Sequence, residues 1–367
     1  MKKKRICMLI GSLNKGGSER VLVNLAEYFC SRGYGVTVVT QYQAPCEYGI
    51  SGRIRRVYSE ISEEEIGKSR ILNFWKRFFK LRGIWKREKP DLILSFIGKN
   101  NMMAVLTSRF LGIPTVVSVR GEPKEEYASA ALRLAAGILF RLADGVVLQT
   151  AASMDFFPAA VRRKAVVLKN SLNPAFMREP YGGEREKRIV AVGRVDANKN
   201  HEMVIRAFAE IADRFPDYGL TIYGEGELRP ALIKKAEELG LEERICMPGA
   251  VSDVADAIYR ASVFVLSSYS EGMPNTLMEA MALGIPCIST DCSGGGPGAL
   301  IVHEENGMLV EPGNWKEMAE NLQKILSDPK LARKIGGNAA KIQKELAPER
   351  INASWEEYFC GLYKDRK

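Results

Sequence analysis

Short apolar runs alternate with longer amphipathic stretches along the whole chain of 367 residues. The runs are rich in β-branched residues and predict strands, whereas amphipathic stretches such as residues 19–30 and 201–214 predict helices. Alternating strands and helices indicate βαβ crossovers, and therefore parallel sheets in an α/β protein. The predicted strands span residues 6–10, 36–40, 92–96, 115–119, 146–149 and 166–168, and then 189–192, 220–223, 245–247, 263–266, 286–290 and 308–310.

A polar break rich in turn formers, residues 173–186, separates the two series of six predicted strands. We therefore predict two Rossmann-like doubly wound domains, an N-terminal one over residues 1–172 and a C-terminal one over residues 187–345. A final helix over about residues 349–367 has no strand after it and could pack back on the N-terminal domain. Ligands of such sheets bind beyond the carboxyl ends of the strands, which predicts a site where the domains face each other across a cleft.

Composition narrows the class of protein. Hydrophobic residues make up 46% of the chain and charged residues 26%, values typical of a soluble globular protein. No stretch of about 18 apolar residues lacks charges or Gly/Pro breaks, and the apolar run after the first lysines is shorter than the ~7 residues that a secretory signal needs. The seven cysteines are scattered without a C-x-x-C pair. These features predict a cytoplasmic protein without a disulfide framework or a structural zinc site.

Charge is distributed unevenly along the chain. The net charge is +9 overall, but residues 1–180 carry +15 and residues 181–367 carry −6. Residues 68–89 alone contain nine basic residues and one glutamate. Such an uneven distribution of positive charge indicates an anionic partner. We find no nucleic-acid-binding motif in this segment and predict no nucleic acid partner.

The basic segment, residues 68–89, has helical periodicity. Apolar residues three and four apart define one face, with cations around the rest. This pattern predicts a helix at an anionic membrane surface, or a crossover helix that buries its apolar face on its own sheet. Both interpretations can hold for the same helix if its apolar face packs on the sheet and its cations face the membrane. The apolar face comprises Ile71, Phe74, Phe78, Leu81 and Trp85.

A glycine-rich loop, residues 11–18, follows the first predicted strand and precedes a helix. Its spacing is one residue from that of a nucleotide-hydrolase P-loop, because Gly17 stands where the lysine should be. The missing lysine argues against ATP hydrolysis. Bare backbone amides at a helix N-terminus favour an anion, so Gly16 and Gly17 are candidate phosphate neighbours. A plain tight turn is the alternative.

Two further loops combine cations and carboxylates. Arg194 and Lys199 follow the first strand of the second series, and a guanidinium with an ammonium can clamp a diphosphate. Glu271 and Glu279 bracket a predicted helix N-terminus, where free amides can receive phosphate or sugar oxygens. Carboxylates accept hydrogen bonds from the hydroxyls of sugars and riboses.

Together these motifs resemble a known family. Gly-Gly-x-Glu-Arg after the first strand, Gly-Arg-x(4)-Lys and Glu-x(7)-Glu are similar to motifs of the retaining glycosyltransferases of family four, which have the GT-B fold. The resemblance covers nearly the whole chain and is strong over residues 189–312. It implies that Arg194 and Lys199 hold the diphosphate of a nucleotide-sugar donor and that Glu279 accepts from the ribose hydroxyls.

The resemblance also implies roles for the turn that follows Glu271. Glu271 and this turn would contact the donor sugar and the β-phosphate, while Gly16 and Gly17 would approach the same phosphate from the facing domain. Arg194, Lys199 and Glu271 are therefore the candidate catalytic residues. The turn comprises Gly272, Met273, Pro274, Asn275, Thr276 and Leu277.

Metal and acceptor chemistry are constrained by what the sequence lacks. No D-x-D triplet occurs, so we expect no metal and no other cofactor, in agreement with the family. Many relatives place a histidine after the fourth strand, where this chain has Arg120. Arg120 would suit an anionic group on the acceptor side and cannot act as a base. The route of acceptor deprotonation therefore stays open; the leaving diphosphate itself is one candidate base.

The sequence thus predicts a membrane-peripheral glycosyltransferase at the inner face of the cell membrane. It would move a hexose or N-acetylhexosamine, with retention, from a nucleotide diphosphate sugar to a lipid-linked or saccharide acceptor in surface polysaccharide or glycan assembly. A UDP-sugar is the favoured donor and a GDP-sugar the second choice. The alternatives are a nucleotide-sugar epimerase, a sugar phosphorylase, or a non-enzymatic basic membrane-binding module.

Overall fold

The computed structural model describes residues 4–364, which form two compact units. Unit 1 comprises the chain up to Asn170 together with the stretch that begins at Ile351. Unit 2 comprises Ser171–Arg350. The polar break predicted at residues 173–186 therefore lies just inside unit 2, because the chain leaves unit 1 between Asn170 and Ser171.

Within the described residues, unit 1 is built on a seven-stranded parallel sheet with the order β3-β2-β1-β4-β5-β6-β7. The central strands are buried on both faces, as the crossover helices of a parallel sheet require. Strand order reverses between β1 and β4, which makes this the switch point of the sheet. The strands are β1 Arg5–Ile10, β2 Gly35–Thr40, β3 Arg55–Tyr58, β4 Leu92–Phe96, β5 Thr115–Ser118, β6 Gly145–Leu148 and β7 Ala165–Val167.

The unit 1 helices cover both faces of this sheet. One face packs against α1 and the other against α2 and α3. The helices are α1 Gly17–Ser31, α2 Arg70–Glu88, α3 Gly98–Ser108, α4 Pro123–Glu126, α5 Ala130–Leu142 and α6 Ala159–Arg162.

Unit 2 has a six-stranded parallel sheet in the described residues, with the order β10-β9-β8-β11-β12-β13. Its switch point lies between β8 and β11. The strands are β8 Glu186–Val192, β9 Gly219–Tyr223, β10 Ile245–Gly249, β11 Ala261–Leu266, β12 Cys287–Thr290 and β13 Met308–Val310. The helices are α7 His201–Ile211, α8 Arg229–Glu238, α9 Val254–Ile258, α10 Asn275–Ala282, α11 Trp315–Ser327, α12 Pro329–Ala339 and α13 Ile342–Glu345.

All twelve predicted strands overlap a strand of the structure, and the two doubly wound α/β units are confirmed. The strand that the sequence missed is β3, which pairs with β2 at the edge of the unit 1 sheet. Its residues Arg55 and Arg56 precede Val57 and Tyr58, and none of the four is fully buried. This edge strand buries little apolar surface, so it lacks the hydrophobic pattern by which strands are recognised.

The last helix, α14 Pro348–Lys364, returns the chain to unit 1. Its residues Trp355 and Phe359 are completely buried in the core formed with β1 and α1. The ring of Phe359 stacks on Phe29 of α1, with 5.2 Å between ring centroids. Aromatic burial of this kind anchors the helix to the N-terminal sheet.

We expect Glu356→Ala to destabilise unit 1 by about 1–3 kcal/mol, because Glu356 accepts hydrogen bonds from two tyrosines of α1 and the turn after it. The hydroxyl of Tyr28 donates to Glu356 Oε2 at 2.9 Å and that of Tyr34 to Oε1 at 3.1 Å. Denaturant unfolding measures the change. Glu357→Ala is the matched control, since Glu357 is the exposed neighbour. Equal stabilities of the two variants would contradict the anchoring role.

Candidate functional site

The loops that follow β8 and β11 meet at the switch point of the unit 2 sheet. The amide of Tyr269 donates to Asn198 O at 2.9 Å, and Asn198 Nδ2 donates to Ser270 O at 3.0 Å. The hydroxyl of Ser267 donates to Lys199 O at 2.7 Å. These bonds fix the two loops to each other, so the side chains that they carry are held in place before any ligand arrives.

Lys199 and Glu271 form the centre of this arrangement. Lys199 Nζ donates to Glu271 Oε1, and the two side chains are only 15% and 13% exposed. Ser268 Oγ donates to the same carboxylate oxygen at 2.7 Å. An ammonium has three donors, so the pairing leaves Lys199 able to donate to a phosphate as well. Lys199 and Glu271 therefore lie side by side in unit 2, and the donor contacts that the resemblance implies for them stay predictions.

Two positions around this site require glycine, because the backbone of another loop lies too close to leave room for a Cβ atom. A Cβ on Gly224, whose φ is +147°, would lie 1.8 Å from Gly193 O, at the start of the loop that carries Lys199. A Cβ on Gly296 would likewise lie 1.8 Å from Gly272 O. Larger residues at either position would push the loops apart. The Gly296 loop is a feature that the sequence analysis did not assign to the site.

Helix α10 begins directly after the turn that follows Glu271. Within the described residues, no side chain caps its N-terminus at Pro274. The positive end of the helix dipole and the first amides are therefore directed at the region just before α10. Glu279, one turn into the helix, is only 3% exposed.

The residues of the turn after Glu271 differ in how far their side chains are accessible to a ligand. Gly272, Met273 and Pro274 are buried, whereas Asn275 and Thr276 are half-buried. Leu277 is completely buried, so its backbone amide is the part that could contact a ligand.

Arg194 lies in the same loop as Lys199 but in a different environment. Its side chain is 77% exposed, and Nη2 lies 3.0 Å from Asp196 Oδ2. Asp196 Oδ1 accepts from the amide of Lys199 at 3.0 Å, so Asp196 links the two cationic residues. The structure thus brings Lys199 to Glu271 and leaves Arg194 at the surface of unit 2. Asp196 is a residue that the sequence analysis did not single out.

His201, at the start of α7, holds the backbone of this loop. The residue is only 4% exposed, and its Nε2 lies 3.2 Å from Arg194 O. Burial, reinforced by the nearby Lys199 ammonium, lowers the pKa of His201 to about 4. The imidazole is therefore neutral near pH 7, and its role is to hold the backbone of the loop.

The glycine-rich loop of unit 1 is held by Glu47. Glu47 Oε1 accepts from the amide of Leu13 at 3.2 Å, and both carboxylate oxygens bind the guanidinium of Arg56, at 2.6 and 2.9 Å. Gly17 begins α1 and Gly16 is its N-cap, which has no side-chain hydrogen bond among the described residues. A Cβ on Gly16 would lie 2.3 Å from Glu19 Oε2. The phosphate contact predicted for these glycines stays a prediction.

We expect Glu47→Gln to remove part of the acid sensitivity of unit 1. Hydrogen bonding to Arg56 lowers the pKa of Glu47 from about 4.5 to about 2, so its stabilising effect is present above about pH 4.5 and is lost as the pH falls towards 2. Between pH 6 and pH 3 the wild-type protein should lose about 1–2 kcal/mol more of its unfolding free energy than the variant. Denaturant unfolding at both pH values measures this. Parallel losses would exclude the contribution of Glu47.

Arg120 is buried inside unit 1 instead of lying at its surface. Its side chain donates to Asn170 Oδ1, and the guanidinium lies 4.8 Å from the centre of the Phe96 ring. Burial lowers the pKa of Arg120 to about 9, so the group stays cationic near pH 7. Glu126 binds the amide of Arg120 at 2.9 Å. The predicted acceptor-side role stays a prediction, and the pairing with Asn170 gives it no support.

The basic segment forms α2, but its predicted apolar face is only half buried. Leu81 and Trp85 are packed on the sheet, as the crossover interpretation requires. Ile71 and Phe74 are instead 71% and 39% exposed. The crossover interpretation therefore holds for the C-terminal half of the face, and the membrane contact stays a prediction. In the N-terminal half of α2 the buried residue is Asn73, whose side chain binds the backbone of Gly67.

The described residues, 4–364, contain neither a cluster of metal ligands nor a membrane-spanning helix. No group of three or more His, Cys, Asp and Glu residues there is arranged to hold a metal ion. In the same part of the chain, no helix has the length and hydropathy needed to span a bilayer.

Comparison with known proteins identifies the class of this fold and site. The family description "Glycosyl transferases group 1" matches residues 175–342, and "Glycosyl transferase 4-like domain" matches residues 16–170. The crystal structure of Anabaena HepE in complex with UDP is similar, with a TM-score of 0.80 and 18% identity, over 98% of this chain and 100% of that one. Two doubly wound α/β units of this kind define the GT-B fold.

Curated relatives agree with this class. The chain is 25% identical, over 96% of its length and 97% of the relative, to a Campylobacter jejuni α-1,4-N-acetyl-D-galactosaminyltransferase whose name gives a GalNAc-containing diphospho-undecaprenol as its acceptor. It is 22% identical, over 96% of its length and 99% of the relative, to the amylovoran biosynthesis glycosyltransferase AmsD of Erwinia amylovora. The chain belongs to the glycosyltransferases, with a 4-like domain followed by a group 1 domain.

Proposed function

We propose that this glycosyltransferase moves a hexose or N-acetylhexosamine from a nucleotide diphosphate sugar to a lipid-linked or saccharide acceptor. The observation that carries the proposal is the half-buried Lys199–Glu271 pair directly before the N-terminus of α10, with Glu279 buried one turn later. A cation, a helix N-terminus and a hydroxyl-accepting carboxylate are the three groups that a nucleoside diphosphate needs.

The chemistry of transfer follows from these charges. Cleavage of the anomeric bond places negative charge on the departing diphosphate and positive charge on the sugar ring. Lys199, with Arg194 and the amides of α10, would stabilise the diphosphate, and such preorganised electrostatic contacts usually make the largest contribution to catalysis. Glu271 would contact the donor sugar while it orients Lys199. Because these groups are already fixed by hydrogen bonds, little reorganisation is needed during the reaction.

The finer assignments rest on the relatives. Retention is the stereochemistry that we propose from the family resemblance. UDP is the favoured nucleotide, supported by the UDP complex of HepE, with GDP as the second choice. Surface polysaccharide or glycan assembly on a lipid-linked acceptor is supported by the names of the Campylobacter and Erwinia relatives. We propose that the enzyme works at the cytoplasmic face of the membrane, with α2 towards anionic lipid, because residues 68–89, which include this helix, carry nine cations.

A ligand screen followed by a transfer assay tests this proposal. Nucleoside diphosphates are screened by thermal shift, where a ligand at about 100 times its Kd adds about 2.7 kcal/mol to the unfolding free energy. UDP-sugars and GDP-sugars are then incubated with lipid-linked oligosaccharides, and the anomeric configuration of the product is read by NMR. We expect stabilisation by UDP and an α-linked product that also forms in the presence of a chelator. Epimerised donor without any acceptor, or phosphate-dependent cleavage, would instead identify an epimerase or a phosphorylase.

A further inference from the structure

Unit 1 contains a cavity of about 540 Å³ that none of the proposed roles uses. Its apolar wall is formed by three helices, and α3 supplies Met102, Met103 and Leu106. Phe74 and Leu81 line it from α2. The volume lies within the range of about 300–1,000 Å³ that is typical of small-molecule sites, and methionine side chains adapt readily to flexible apolar ligands.

The polar part of the cavity lies at the ligand-binding edge of the sheet. Gln41 follows β2, Ser59 follows β3, and Lys99 with Asn100 opens α3 after β4. These positions are the carboxyl ends of the strands, where doubly wound sheets bind their ligands. The cavity therefore joins an apolar interior to a polar edge, which is the shape that an amphiphile requires.

Two cations lie at this polar part. Lys99 is exposed in the first turn of α3. Arg77 of α2 donates from Nε to Glu60 Oε1 at 2.6 Å, which leaves the other donors of its guanidinium for a second anion. An anionic head group on the amphiphile is favoured by these charges and by the nine basic residues of the 68–89 segment.

The helices that wall the cavity also expose apolar side chains next to it. On α2, Ile71 and Phe79 are 71% and 63% exposed. On α5, Leu134 and Ile138 are 67% and 51% exposed. Exposed apolar residues on two helices that flank one apolar cavity indicate a surface for a lipid. The cavity itself is concave and walled by three helices, so its shape suits a single hydrocarbon chain better than the flat surface of a bilayer.

We infer that this cavity binds the isoprenoid chain of a polyprenyl-diphosphate-linked acceptor, with the diphosphate at Lys99 and Arg77. The inference rests on the proposed transfer to a lipid-linked acceptor and names the part of unit 1 that would recognise the lipid. It adds a chain-binding site to the acceptor side, separate from the nucleotide site of unit 2.

Direct binding of two diphosphates that differ only in chain length tests the inference. Farnesyl diphosphate and dimethylallyl diphosphate, both below micellar concentrations, are titrated calorimetrically into the full-length protein. We expect farnesyl diphosphate to bind at least tenfold more tightly. Equal affinities would show that only the head group is recognised and would overturn the chain-binding site.

Neighbouring substitutions on α5 locate the site. Ala135 lines the cavity and its neighbour Leu134 does not, so Ala135→Phe should abolish the tenfold preference for the longer chain while Leu134→Phe retains it. Met103→Gln places a polar group in the cavity wall at unchanged side-chain length and should reduce the preference at least fivefold. This variant replaces Ala135→Phe in the test if Ala135→Phe fails to fold. Similar affinities in the Ala135 and Leu134 variants would overturn the assignment. UDP binding, read by thermal shift in the same variants, should be unchanged, so failure of this inference is distinguishable from failure of the proposed function.

Discussion

Replacing Lys199 by methionine is expected to lower kcat/KM for sugar transfer by about 10²–10³-fold, the usual cost of removing one preorganised group that stabilises a developing charge. Methionine keeps the length of the aliphatic chain and removes the ammonium. Because the Lys199 side chain is held against Glu271 and is only 15% exposed, no solvent-exposed lysine can take its place. Initial rates with saturating acceptor and varied donor measure the effect.

The control for this experiment is Lys187→Met. Lys187 lies on β8 of the same unit but is 52% exposed and pairs with Asp217. Its replacement should leave kcat/KM within twofold of the wild type. Denaturant unfolding of both variants checks that Lys199→Met remains folded, since it leaves the Glu271 carboxylate without its cation. A folded Lys199 variant with wild-type rates would remove Lys199 from the catalytic machinery.

Glu279→Gln is expected to weaken UDP binding by about tenfold to a hundredfold, because a hydrogen bond to a charged group contributes about 1.5–3 kcal/mol. Glutamine keeps the shape of the side chain in a position that is 3% exposed, so the packing of α10 should persist. Calorimetric titration with UDP measures the loss. Glu237→Gln, on an exposed position of α8, is the control and should bind UDP like the wild type.

A deoxynucleotide shows whether the Glu279 effect arises at the ribose. Wild-type protein should bind 2′-deoxy-UDP or 3′-deoxy-UDP more weakly than UDP, since one of these analogues lacks a hydroxyl that donates to Glu279. The Gln variant should discriminate much less between UDP and that analogue. Full discrimination in the variant would assign the ribose contact to another residue.

The fold could be predicted from sequence because buried parallel strands are apolar on both faces. Each of the twelve predicted segments contains such a run, and the loops after them carry the candidate chemistry. The edge strand β3 escaped because its arginines and half-buried positions give no apolar run. The other edge strand of this sheet, β7, is also only half-buried but keeps an apolar run, and it was predicted.

The site was only partly predictable, for a different reason. The spacing of Lys199, Glu271 and Glu279 along strands and helices fixes their approximate position. Spacing does not fix the burial of a side chain, which depends on neighbours that are distant in sequence. Arg120 illustrates this, because its partner Asn170 is 50 residues away.

The same limit applies to the supporting residues of unit 2. Asn198 and Ser268 are ordinary loop residues by sequence, and only the folded loops show that they hold Lys199 and Glu271 in register. In α2 the periodicity was correct for the C-terminal half. Its N-terminal half exposes Ile71 and buries Asn73, which the apolar pattern alone does not reveal.

The most direct test of the nucleotide site is a comparison of UDP with uridine, titrated calorimetrically into wild-type protein and Lys199→Met. If Lys199 and the N-terminus of α10 bind the diphosphate, the wild type should prefer UDP over uridine by at least tenfold, and the variant should lose most of that preference while its affinity for uridine stays the same. An unchanged preference for UDP in the Lys199 variant would contradict the assignment of this site to the diphosphate.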